Sequence, residues 1–114
     1  MTVAELKDIA KSYGLIVEEE SDNWIDVLFE DNSEFWDCKD YIFPNKLIAY
    51  ENSFITVYTK LRKTKSGKFV IINKRTYNIN NYTTRKFHNL IKRIQKQIKV
   101  ELIAKRLDGI KQDF

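Results

Sequence analysis

One cysteine, one histidine, one proline and three glycines occur in 114 residues, and each scarcity excludes a class of protein. A lone Cys38 closes no intramolecular disulfide and supplies no multi-thiolate metal site, so stability has to come from packing and a reducing compartment, the cytoplasm, is the expected home. Gly14, Gly67 and Gly109 stand apart from one another, which excludes the glycine-rich phosphate loops of P-loop and Rossmann proteins. No run approaches the roughly 18 apolar residues of a membrane span. The stretch from Met1 to Lys7 also lacks the charged-then-apolar order of a signal peptide. Without a local signature around either residue, His88 reads as a structural side chain beside an apolar helix face, and Cys38 as a small buried hydrophobe.

What is present is a folding chain with a lopsided charge. Hydrophobic residues make up 43% and aromatics 13%, far from the polar composition of disordered segments, and the length suits a single domain. The formal net charge of +4 conceals a division. Residues 1–51 hold 4 Lys, no Arg and 13 acids, a net of −9, whereas residues 52–114 hold 16 Lys or Arg and 3 acids, a net of +13. Such asymmetry points to a charged partner unless the two halves neutralise each other inside the fold.

Hydrophobic periodicity predicts the order helix, strands, helix. Thr2-Val3-Ala4-Glu5 is a capping box that opens a helix over 2–13, with Val3, Leu6, Ile9, Ala10 and Tyr13 on one face and Gly14 at its end. β-rich runs follow at 15–20 and 24–30, joined by Ser21-Asp22-Asn23, with Ile25, Val27 and Phe29 on one side and Asp26 and Glu30 on the other. Further strands are predicted at 34–43 and 46–51, and a hairpin at 54–61 and 68–77 that turns near Ser66-Gly67. From Thr83 or Thr84 the spacing is helical to near Gly109. The expected fold is therefore α+β, a short N-terminal helix, an antiparallel sheet of about 5–6 strands and a long C-terminal helix.

That last helix changes sides. At about 100° per residue, Phe87, Leu90, Ile91, Ile94 and Ile98 share a face opposite Arg85, Lys92, Lys96 and Lys99. Ile103, Leu107 and Ile110 then fall about 140–200° away, on the side that had been basic. With neither Gly nor Pro between Thr83 and Asp108, a continuous helix is favoured over a break. Residues 100–114 are thus expected to project from a single domain as an oligomerisation or partner-binding tail, and a homodimer is the expected assembly.

Two surfaces follow for function. Lys60, Arg62, Lys63, Lys65, Lys68, Lys74 and Arg75 crowd the second hairpin; Arg85, Lys86, Lys92, Arg93, Lys96 and Lys99 line the helix, with Tyr58, Tyr77 and Tyr82 among them. Cations that neutralise phosphate and tyrosines that stack on unpaired bases make DNA or RNA the first expected partner. The acidic half supports the rival reading, an inhibitor or accessory factor that presents Asp26, Glu30 and Asp37 to a basic protein. Asp22, Asp26, Glu30, Asp31, Glu34, Asp37 and Asp40 could supply oxygen ligands, but no EF-hand spacing is present, so they read as a solvated sheet face. Divalent-metal nuclease chemistry is the alternative; no enzyme activity and no cofactor are expected.

Residues Thr2 to Leu15 resemble the first helix of SAP-type and Rho N-terminal-type modules, which bind nucleic acid. The resemblance stops there, because those modules continue into a second helix and this chain turns to strands. The stretch Tyr77-Asn78-Ile79-Asn80-Asn81-Tyr82-Thr83-Thr84-Arg85-Lys86-Phe87-His88, leading into a Lys-rich helix, is similar to small uncharacterised proteins of bacteriophages and related mobile elements. That likeness implies an origin and no activity.

Overall fold

In the computed structural model the backbone is described for residues 1–112 and side chains for residues 1–105. Helix α1, Val3–Ser12, starts where the capping box placed it: the Thr2 hydroxyl accepts from the Glu5 amide at 3.1 Å, and the Glu5 carboxylate accepts from the Thr2 amide at 2.9 Å. Gly14, at φ +74°, then turns the chain out of the helix into a region where a Cβ would be strained.

Five strands follow in a simple meander, each antiparallel to the next: β1 Ile16–Ser21, β2 Trp24–Leu28, β3 Lys46–Glu51, β4 Phe54–Lys63 and β5 Phe69–Asn78. The β3–β4 turn is made by Asn52 and Ser53, both at positive φ, which suits a tight hairpin between right-twisted strands. A short 3₁₀ turn, Ile79–Asn81, leads to helix α2, Thr84–Gln112, where the Thr83 hydroxyl accepts from the Lys86 amide. The architecture is the expected α+β arrangement, with five strands.

The strand expected at 34–43 is not formed. That segment is a loop touching the sheet through one isolated bridge, Trp36 with Phe69. Its short polar residues take the backbone bonds that a strand would need: the Asn32 carboxamide accepts from the Glu34 amide, the Asn32 carbonyl from the Phe35 and Trp36 amides, and Asp37 from the Asp40 amide. The loop returns along the start of β5, where the Asp37 amide donates to the Phe69 carbonyl and the Ile71 amide to that of Pro44. Cys38 consequently sits exposed on this loop and is not the buried hydrophobe expected from its neighbours.

Period-2 alternation explains the core. Ile25 and Val27 pair with Tyr50 and Ile48, and those with Ile55 and Val57, so one sheet face is continuously apolar. Against it lie Phe87, Ile91 and Ile94 of α2 and Leu6 and Ala10 of α1, all with no exposed surface. Each large side chain so buried contributes about 1.5–3 kcal/mol. The helix runs unbroken, as the absence of Gly and Pro suggested. Past the half-buried Ile98 its apolar side chains leave the core, and Val100, Leu102 and Ile103 are exposed. Leu107 and Ile110, expected beside Ile103, lie outside the residues whose side chains are described.

Candidate nucleic-acid interface

Because the strands lie in sequence order, the division of charge along the chain becomes a division between the strands of the sheet, while the acidic 30–40 loop crosses to the basic side, where Lys68 and Lys105 donate to the Ser33 and Glu34 carbonyls. β1, at one edge, carries exposed Glu18, Glu19 and Glu20, with Asp22 in its turn; β5 at the far edge, its partner β4 and α2 carry the cations. Among the described residues two ion pairs form, Lys7 with Glu19 at 2.8 Å and Lys46 with Asp26 at 3.4 Å. Both lie within the acidic half. None joins it to the basic half, so the basic side chains keep their charge for solvent or a ligand.

The cations are not gathered into one patch. Lys60, Arg75 and Arg93 converge with Thr59, Tyr77 and Gln97 around a hollow of about 440 Å³ between the hairpin and α2. Its lining holds no carboxylate, and the sequence has none anywhere in residues 52–100. Arg93 is braced, since its Nη2 donates to the Thr59 carbonyl at 2.6 Å, and Lys86 stands 5.9 Å from the Tyr77 ring centroid. Arg62, Lys63 and Lys65 remain exposed toward the hairpin tip, whereas Lys68 is tied to the Ser33 carbonyl at 2.8 Å. Lys74 lies on the other sheet face, paired with Tyr58. Arg85, Lys92 and Lys96 are exposed on α2, and Lys99 lines a separate, mainly apolar groove with Tyr13 and Trp36.

The tyrosines divide as well. Tyr82 belongs to the core, and its burial pushes the phenol pKa up to about 12, so its ring is not available for stacking. Tyr58 and Tyr77 are half-buried. His88 is also half-buried, its Nδ1 2.7 Å from the Tyr13 hydroxyl, which links α2 to the end of α1.

Two of the three carboxylates proposed to face a protein partner are buried. Asp26 is buried beside Lys46, with Oδ1 lacking any hydrogen-bond partner. Asp37 is 1% exposed and organises the loop; bonds from Thr64, the Asp40 amide and Ser66 hold its carboxyl below the usual carboxylate range. Glu30 alone is exposed. Among the described residues no three His, Cys, Asp or Glu side chains converge as a metal site would need, and no helix is long and apolar enough to cross a membrane.

Two features escaped the sequence reading. Arg93 reads in the sequence as one more helix cation, and only its place on the flank of α2 toward Thr59 of β4 sets it apart. The second is the aromatic character of the open sheet face. Trp24 and Phe54 each begin a strand on the side opposite the core, which alternation from Ile25 and Ile55 could have revealed. No protein-family model, no curated protein and no solved structure matches the chain.

Proposed function

We propose that this protein binds nucleic acid without catalysing a reaction, through the β4–β5 hairpin and the adjoining flank and outer face of α2. The observation that carries the reading is the convergence of Lys60, Arg75 and Arg93 on one hollow without an acid among them, while the ion pairs among the described residues lie elsewhere. Cations left unpaired raise a local positive potential that draws polyanions. Arg93, held by Thr59, offers its remaining guanidinium donors in a preset direction, which lowers the entropic cost of gripping a phosphate. Lys65, Lys92 and Lys96 add a diffuse attraction that orients the ligand.

The test is fluorescence anisotropy with labelled DNA and RNA, single-stranded and duplex, across a salt series. Binding at low salt should weaken linearly in log–log form, and the double variant Arg75→Ala/Arg93→Ala should lower the slope by about 1.5–2, two phosphate contacts. Absence of binding to every form at low salt sinks the reading. The rival inhibitor reading retains only Glu30 of its three carboxylates, with the β1 glutamates as its other exposed acids. A homodimer through the exposed Val100, Leu102 and Ile103 is compatible with either reading, and light scattering decides it.

A further inference from the structure

The helices cover one face of the sheet and leave the other open. Open faces of antiparallel sheets are ordinarily polar. This one is aromatic: Trp24 is 40% exposed and Phe54 52%, with half-buried Tyr58 further along β4, and the 34–43 loop adds Tyr41 and Phe43 at 40% and 53%. The rings border two hollows. One, of about 310 Å³, lies between Trp24 and Phe54 with Thr56 and Thr76 at its base. The other, an open hollow of about 450 Å³, is lined by Tyr41, Phe43, Tyr58 and Ile72. Phe54 and Tyr58, on the same side of β4, are separated by about 13 Å along the strand.

The charges on this face are ordered too. Lys46 and Lys74 line the larger hollow, which has no carboxylate in its lining; the Lys46 ammonium lies 4.3 Å from the Phe43 ring centroid and is already paired with Asp26 beneath it, so exposed Lys74 is the cation free for a ligand. Glu51 lies in the smaller hollow, where a phosphate would be repelled but an amino group of a base could donate to it. Asn73, at φ 62° within β5, borders both the larger hollow and the one holding Arg75 and Arg93. Lys74 and Arg75 therefore point to opposite faces of one hairpin, and a flexible polyanion lying along the open face would meet cations on both sides of β5.

We propose that the open sheet face is a stacking platform for single-stranded nucleic acid, with unpaired bases seated against Phe43, Tyr58, Phe54 and Trp24 and the backbone drawn toward Lys74. The proposal rests on the nucleic-acid reading and narrows it. Paired bases present no free ring face to such side chains, so a duplex gains only the phosphate contacts, whereas a single strand gains stacking as well. Exposed aromatics beside lysines are the combination that tolerates any base sequence.

The experiment uses the intact protein with a dodecamer single strand, its duplex, and the same strand carrying abasic sites. The single strand should bind at least tenfold tighter than the duplex and quench the fluorescence of half-exposed Trp24. Phe43→Ala and Phe54→Ala should each weaken single-strand binding about tenfold and leave duplex binding and the salt slope unchanged. Both side chains are more than half exposed, so the variants should fold, which circular dichroism verifies. Equal or tighter binding of the duplex, or undiminished binding of the abasic strand, overturns the stacking platform while leaving phosphate binding intact. A dimer whose formation shields Trp24 would make this face a subunit contact and overturns it equally. Failure to bind any nucleic acid removes the platform together with the reading it rests on.

Discussion

The two faces of this sheet are built from alternate residues of the same strands, yet they do opposite work. Ile25, Val27, Ile48, Ile55 and Val57 have almost no exposed surface under the helices, while Trp24, Phe54 and Tyr58, their immediate sequence neighbours, look outward. Hydrophobicity alone does not separate the sets, since both are rich in large apolar groups. Having a helix to pack against does. The first set stabilises the fold; the second costs solvent exposure and has value only if something else covers it.

The comparison breaks most plainly by truncation. Phe87→Ala, under the helix, should destabilise by about 3–5 kcal/mol because it removes the centre of a closed core and leaves a cavity. Phe54→Ala should change stability by less than about 0.5 kcal/mol. Urea unfolding measures both, and a large loss at Phe54 would mean that the open face is structural after all. Next in size is Lys46, the cation between the faces' polar and aromatic groups. Lys46→Met should cost about 2–3 kcal/mol, somewhat under the figure for a fully buried pair, because it strands an Asp26 carboxylate already short of partners. Adding Asp26→Leu should restore most of that loss, a coupling that a double-mutant cycle reads directly.

The smallest effect concerns the loop that frames the larger hollow. Asp37 is held below its ordinary value of 3.8, so its carboxylate stabilises the folded state fully above that value, and the contribution is lost as pH falls through the lower folded value. Asp37→Asn should therefore flatten the fall in thermal midpoint on the acid side of pH 4 without changing its profile near neutrality. An unchanged acid profile would mean that the loop is held by Phe35 and Trp36 packing alone.

Much of this was legible in the chain. The capping box, the Gly14 stop, the β3 boundaries and the uninterrupted α2 are local events written in neighbouring residues, and they appear where the local chemistry demands. The 34–43 segment misled because its aromatic content suits a strand, while Asn32 and Asp37 compete for its backbone through side-chain turns that hydrophobic periodicity does not register. Asp26 misled for a related reason: alternation puts it opposite the core, but Lys46, twenty residues on, comes back to bury it. For the candidate site, the cations were visible one by one, and which of them meet was not.

Taken by itself, the sequence determined the class of fold, the separation of charge along the chain and the lack of a glycine-rich phosphate loop, because composition and short-range spacing are sufficient for these. Only the tertiary structure decided that no ion pair among the described residues joins the acidic and basic halves, that Lys60, Arg75 and Arg93 share one hollow, and that the second sheet face is left aromatic and open. Those outcomes depend on strand order and on where α2 lies, and long-range packing sets both.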